Sequence, residues 1–237
     1  MTAWQHSANG GIAGNLAAVR ERIAQAARRS GRDADAVTLV AVSKTKPLAA
    51  VMEAYAAGQR LFGENRVQEA LPKLEQSPAD TEWHMIGHLQ TNKARQIPGA
   101  FSTVQSVDSE KLARALSKHV PKGDTLDIML QLNWSHEASK AGIADEDGLR
   151  QVLEAVLPLP GLRLTGLMTI PDPDYSEAQT RRCFADIRGL HGRMRQEFGL
   201  GEAFRELSMG MTHDFEWAIE EGATVVRVGT AIFGARP

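Results

Sequence analysis

Residues 37–46 read VTLVAVSKTK, and the fold can be built outward from them. Val37, Thr38, Leu39, Val40, Ala41 and Val42 form a β-branched, nearly unbroken apolar run, the pattern of a strand buried on both faces. Ser43 and Lys44 end it. Pro47 then takes a first-turn position for a helix, Leu48, Val51, Met52 and Tyr55 follow at helical spacing, and Gly58 stops them. A buried strand that hands over to a helix belongs to a parallel α/β fold, in which ligands bind at the C-terminal edge of the strands. Lys44 stands on that edge. Position alone leaves two readings open: an ordinary surface lysine, or an amine that forms an imine with a carbonyl ligand. An exposed lysine, with a pKa of about 10.4, is protonated at neutral pH. A partly desolvated one can be neutral and nucleophilic.

The same unit recurs along the chain. Further short apolar runs occur at 60–63, 83–86, 101–107, 126–132, 162–170, 204–207 and 224–228. Helical stripes separate them, among them Val67, Ala70, Leu71 and Leu74, interrupted by Pro72, which should bend or shorten that helix. A short helix is expected from Asn92 to Pro98, Asp108 is the expected N-cap of the helix carrying Leu112, Ala115 and Leu116, and Cys183 to Phe198 mark a long one. An extra amphipathic helix with Ile12, Leu16, Val19, Ile23 and Ala26 precedes the first strand. Eight alternations in 237 residues predict a single (β/α)8 barrel of the TIM type, spanning residues 12–237 behind a loose tail, 1–11.

The totals narrow the classes. A net charge of −2 gives no basic field for nucleic acid, and the arginines of the first helix are interspersed with Glu21, Asp33 and Asp35, as on a solvated face. No apolar run reaches the ~20 residues of a membrane span. Residues 1–11 lack the apolar centre of a signal peptide, and a lone Cys183 fits a reducing compartment, so a cytoplasmic protein is expected. The histidines show no metal-ligand spacing, and no metal is expected.

In such barrels phosphate is often bound after strands seven and eight. Here Ser208-Met209-Gly210-Met211-Thr212 follows the seventh run and Gly229-Thr230 the eighth. Glycine admits a phosphate close to the backbone, N–H groups at a helix start point at it, and the hydroxyls of Ser208, Thr212 and Thr230 can donate. Arg227 interrupts the run Val225, Val226, Val228, and a charge there needs a partner: a helix carboxylate if it faces out, a ring nitrogen or an anion if it faces in. Lysine, phosphate cup and arginine suit a phosphorylated aldehyde. Pyridoxal 5′-phosphate is one, and a sugar phosphate in a lysine-dependent aldolase is the rival.

Several segments carry a resemblance. They are Val42-Ser43-Lys44-Thr45, Phe62-Gly63-Glu64-Asn65 with Val67-Gln68-Glu69, Trp83-His84-Met85-Ile86-Gly87 with Leu89-Gln90-Thr91-Asn92-Lys93, Ser139-Lys140-Ala141-Gly142, Gly166-Leu167-Met168, Leu207-Ser208-Met209-Gly210-Met211 and Arg227 to Gly234. In order, they resemble the pyridoxal phosphate homeostasis protein family, whose members look like the barrel domain of alanine racemase (PLP fold type III) standing alone. The resemblance implies that Lys44 carries the cofactor as a Schiff base. It implies that Ser208, Gly229 and Thr230 hold the phosphate with Met211 in the phosphate loop, that Arg227 faces the pyridine nitrogen, and that Asn65 and His84 line the mouth. Thr212 stands where a serine is commoner and keeps the hydroxyl; His88 is one of the variants at its site.

The function expected is non-catalytic binding and release of pyridoxal phosphate in intracellular homeostasis, by a monomer whose recipients would be pyridoxal-phosphate-dependent apoenzymes. The alternative is an amino-acid racemase. Racemisation needs an acid/base on each face of the α-carbon. Lys44 serves one; of the two tyrosines, Tyr55 lies in a helical apolar stripe and Tyr175 in the acidic loop PDPDYSE, and the chain ends three residues after Gly234. His84, alternating in an apolar strand, also reads as a hydrogen-bonded core histidine, and Ser139 and Lys140 as a solvated loop.

Overall fold

Eight parallel strands close on themselves in sequence order, β1-β2-β3-β4-β5-β6-β7-β8, in the computed structural model, which describes residues 10–134 and 141–235. The strands are β1 (Thr38–Val42), β2 (Leu61–Glu64), β3 (Glu82–Met85), β4 (Thr103–Val107), β5 (Leu126–Leu132), β6 (Leu162–Thr169), β7 (Glu206–Ser208) and β8 (Val225–Val228). The helices are α1 (Gly11–Arg29), α2 (Leu48–Ala56), α3 (Val67–Leu74), α4 (Glu110–His119), α5 (Glu146–Val156), α6 (Glu177–Glu197), α7 (Phe215–Glu220) and α8 (Thr230–Phe233). The ring closes where Thr38, Leu39, Val40 and Ala41 pair with Val225, Val226, Arg227 and Val228. The expected barrel is therefore the observed one.

Two layers of apolar side chains follow from strand alternation. Outward-facing residues such as Ala41, Phe62, Trp83, Ile128 and Val226 pack against the helices in one continuous core, with Phe62 and Trp83 stacked at 5.1 Å. Inward-facing Val40, Met129, Met168 and Val225 form a small plug inside the barrel, flanked by Leu61 and Ile170. Each fully buried Leu, Ile or Phe is worth roughly 1.5–3 kcal/mol, so the outer layer supplies most of the stability. The plug instead closes the bore below the strand C-termini.

α1 has a specific place. The four-residue α8 is too short to fill its share of the outer ring, and α1 packs against α8, α7 and α2 instead. Leu16, Val19, Ile23, Ala26 and Ala27 form its buried face, and Asn15 Nδ2 donates to the Ile232 carbonyl at 3.0 Å.

Some local expectations are corrected. α4 is capped by Ser109, whose Oγ accepts from Leu112 N; Asp108 stands one residue earlier and accepts from Ser109 Oγ at 3.1 Å. Residues 91–96 form a 3-10 turn, not an α-helix. The short α3 agrees with the expectation from Pro72: it ends two residues after the proline, at Leu74. Helix α1 begins at Gly11; the rest of the anticipated tail up to residue 9, and Ser139 and Lys140, lie outside the described residues.

Candidate functional site

The backbone at the end of β1 is unusual. Ser43 N donates to the Gly63 carbonyl, Lys46 N closes a turn onto the Ser43 carbonyl at 3.1 Å, and between them Thr45 has φ +64°. Thr45 is the one non-glycine residue with positive φ among the described residues. For a β-branched side chain this conformation costs of the order of 1–3 kcal/mol and persists only where the surroundings impose it.

The surroundings include a buried polar knot on the outer side of the strands. Lys73 Nζ, from α3, donates to the Ser43 carbonyl at 2.9 Å and pairs with Glu64 Oε1 at 2.7 Å. Ser43 Oγ donates to the same Glu64 oxygen at 2.7 Å. Glu64 is 0% exposed, and its Oε2 has no hydrogen-bond partner. The knot grips the residue immediately before Lys44.

On the inner side, Lys44 is half-buried and borders a cavity of about 220 Å³ at the C-terminal ends of the strands. Asn65, Met211, Arg227, Gly229 and Thr230 line it too, so six of the eight anticipated residues meet in one place. Lys46, Thr212, His213 and Ile170 join them. Larger depressions, two of them of about 570 and 500 Å³, lie at the opposite rim, and neither of those two brings a lysine to a glycine turn.

The loops after β7 and β8 form one cup. Gly210, at φ +94°, takes a turn open to glycine, and its carbonyl accepts from Arg227 N at 3.0 Å. Met211 N donates to Asp214 Oδ1 at 2.5 Å, and Thr212 Oγ1 accepts from Ala231 N. A Cβ on Gly229 would stand 3.1 Å from the Val42 carbonyl oxygen, so that residue lets the eighth loop close on the first strand. Burial pushes the Asp214 carboxyl above its usual range, while the Met211 N–H and the Arg227 charge oppose the rise.

Arg227 is 3% exposed and faces inward. Nη1 donates to Ser208 Oγ at 2.6 Å and Nη2 to the Thr169 carbonyl at 2.9 Å. It makes no ion pair among the described residues. Burial lowers its pKa to about 10, with Asp214 opposing, so it stays cationic at neutral pH. A guanidinium has five N–H groups; two are spent on these acceptors, and the others remain for whatever enters the cavity.

The structure does not bring His84 or Ser208 to this cavity. Trp83 faces the helices, so His84 faces in, two residues below the cavity-lining Ile86 and therefore one layer deeper. It borders the depression at the N-terminal end instead. Its Nδ1 lies 2.8 Å from Gln105 Nε2, the hydrogen-bonded core position that its alternation also allowed. Ser208 is buried, and its hydroxyl donates to Gln105 Oε1 at 2.6 Å while accepting from Arg227. Glu64, Lys73 and Gln105 were missed. Gln105 is a polar residue inside the apolar strand TVQSV and Glu64 follows LFG, so each interrupts a buried run as Arg227 does.

A family model for the N-terminal domain of alanine racemase matches residues 14–237. A pyridoxal phosphate homeostasis protein of Pseudomonas aeruginosa is 52% identical over 227 residues, covering 95% of this chain and 96% of the relative. The chain belongs to the pyridoxal phosphate homeostasis protein family. Its counterpart in Escherichia coli K12 is 43% identical, with 95% and 97% covered. Among solved structures, PipY of Synechococcus elongatus with PLP bound superposes with a TM-score of 0.83 at 40% identity, covering 94% of this chain and all of PipY. These relatives are named for homeostasis and not for a reaction.

The racemase reading needs a second acid/base near the cavity. Neither tyrosine lines it. Tyr55 OH donates to Asp80 Oδ1 at 2.8 Å under the Arg60 guanidinium, and Tyr175 lies in the loop after β6. No described helix is long and apolar enough to cross a membrane.

Proposed function

We propose that this protein binds pyridoxal 5′-phosphate in the cavity at the strand C-termini and releases it to recipients without turning over a substrate. The observation that carries the reading is the convergence of Lys44, Arg227 and two glycine turns on one cavity. Lys44 would hold the aldehyde through its amine, with loss of water. The hydroxyls of Thr212 and Thr230 and the backbone N–H groups at Gly229 and Thr230 would hold the phosphate in the cup that Met211 helps to line, and Ser208 acts behind them on Arg227. Arg227 would donate to the ring nitrogen, with Asn65 in the wall beside it. When bound, the cofactor is an electron sink for α-carbon chemistry.

The chain's own residues favour holding over catalysis. A permanently cationic, donor-only guanidinium keeps the ring nitrogen unprotonated, which weakens the sink. Neither tyrosine lines the cavity, so the residue type that would serve the second face of the α-carbon in a racemase is missing from its walls. Residues 12–237 act as one unit in this reading: a cytoplasmic monomer that supplies pyridoxal-phosphate-dependent apoenzymes.

The test is reconstitution with pyridoxal phosphate, borohydride reduction and peptide mapping, alongside exchange of the α-proton of amino acids in heavy water. Labelling at Lys44, abolished in Lys44→Ala, with exchange far below the enzyme range of roughly 1–10³ per second, is expected. Labelling elsewhere, or exchange inside that range, refutes the reading.

A further inference from the structure

A chain of buried polar groups crosses the barrel interior beside the apolar plug. It starts at Arg227 under the cavity, passes through Ser208 and Gln105, and ends at His84. Its members come from β8, β7, β4 and β3. His84 is 8% exposed and borders the depression at the N-terminal end of the barrel, beside Asp127, Arg163 and Glu206. The two ends of the barrel are therefore joined by hydrogen bonds.

The direction of every link is fixed by one rule: a guanidinium has only donors. Arg227 must give a proton to Ser208 Oγ, so the serine is an acceptor there. The single hydroxyl proton then goes to Gln105 Oε1, the acceptor 2.6 Å away. That sets the amide with Nε2 toward His84, and Nδ1 must accept. His84 is thus neutral, with its proton on Nε2. The opposite amide orientation would leave the Ser208 hydroxyl proton without an acceptor in a buried site, a cost of about 1–3 kcal/mol. Burial, which lowers the His84 pKa to about 4, agrees with a neutral ring.

We propose that Gln105 and His84 are positioning residues for Arg227: through Ser208 they fix the guanidinium beneath the cavity and so set the state of the cofactor's ring nitrogen. This rests on the reading of Arg227 as the partner of that nitrogen. Neither Gln105 nor His84 lines the cavity. The effect of Gln105 on a bound ring passes through two intervening side chains, Ser208 and Arg227, and that of His84 through three.

Two measurements test the chain. Nitrogen NMR of histidine-labelled wild-type protein, with the His84 signal identified by its loss in His84→Phe, is expected to show the Nε2–H tautomer at neutral pH. An Nδ1–H tautomer or an imidazolium overturns the chain without any need for the Gln105 or Ser208 variants to fold. The second is the ring-nitrogen resonance of labelled pyridoxal phosphate bound to Gln105→Leu. It should shift from the wild-type position, with retention of the cofactor weakened about tenfold by loss of a hydrogen bond serving a charged group. Ser208→Ala should act alike, and the double variant no worse than either single one, because both break one chain. An unchanged resonance in folded, loaded Gln105→Leu overturns the proposal. Failure of the wild type to take up the cofactor would instead overturn the functional reading, leaving the tautomer result to stand on its own.

Discussion

Lys73→Met is a sharp test of the packing behind Lys44. The substitution keeps the length and apolar stem of the side chain but removes the ammonium. Glu64, 0% exposed, then keeps Ser43 Oγ as its one donor and has no counter-charge. Its Oε2 has no partner to begin with, so nothing else in the knot takes over. Both partners are buried, with side-chain exposures of 11% and 0%, so solvent does little to screen the loss. Breaking such a pair from one side costs about 3–5 kcal/mol, a large part of the roughly 5–15 kcal/mol that holds a domain together. With a urea dependence near 3 kcal/mol per molar, the unfolding midpoint should fall by about 1 M or more. Glu64→Leu/Lys73→Met removes both charges and should be markedly more stable than Lys73→Met alone. The Ser43 carbonyl also loses a donor, so the strained turn at Thr45 should loosen, and pyridoxal phosphate uptake in the folded single variant should fall. A loss under about 1 kcal/mol in urea titrations would refute the view of Glu64 as a charge compensated by Lys73 alone.

Two further outcomes are expected. Thr230→Val should weaken retention of pyridoxal phosphate about tenfold or more, as removal of a donor to a charged group does, while pyridoxal without phosphate is little affected; equal losses in equilibrium binding would show that Thr230 does not touch the phosphate. His84 and His191 are each lowered by burial to about 4 from 6.5, with the Arg195 charge adding to the effect on His191. Between those values the unfolded chain holds more protons than the folded one. Stability should therefore be complete above about pH 6.5 and fall as pH drops toward 4, by up to roughly 3 kcal/mol per histidine; urea midpoints that do not move between pH 7 and 4.5 would contradict it.

The barrel was legible because its evidence is local. A strand buried on both faces is a short apolar run, a helix is a stripe, and eight repeats of the pair allow few other closures. Lys44, Gly229 and Thr230 were legible for the same reason, since each stands within two residues of the end of a run. Depth was not legible. His84 and Ile86 share a face and differ by two residues, and only the register of β3 on β2, with Gly63 opposite His84, fixes which one reaches the cavity. Ser208 seemed a phosphate donor because a hydroxyl beside a glycine turn fits that role. Its hydroxyl is committed to Gln105, 103 residues away in sequence, and no local pattern reveals such a partner. The knot around Glu64 escaped for a like reason: Lys73 follows Pro72 on α3, and no local pattern pairs it with a carboxylate nine residues earlier on β2.

The two polar systems divide the work of making a rigid site in a barrel whose cavity is otherwise built from loops. The outer one holds the backbone before Lys44; the inner one holds the Arg227 guanidinium, which lines the same cavity. Both are anchored in strands, which hold geometry better than loops do. The apolar plug of Val40, Met129, Met168 and Val225 lies between the cavity and the far end, so the chain through Ser208 and Gln105 is a polar path past it. Such a path is costly unless every member is satisfied, because a half-made buried network is worse than an apolar core. Here each link from Arg227 to His84 Nδ1 is satisfied. A protein that only needed to close its bore could do so with more methionine and valine. Keeping four polar residues there instead makes sense if the cationic group at the top must be held at a fixed place with its charge intact, which is what a ring nitrogen kept unprotonated requires.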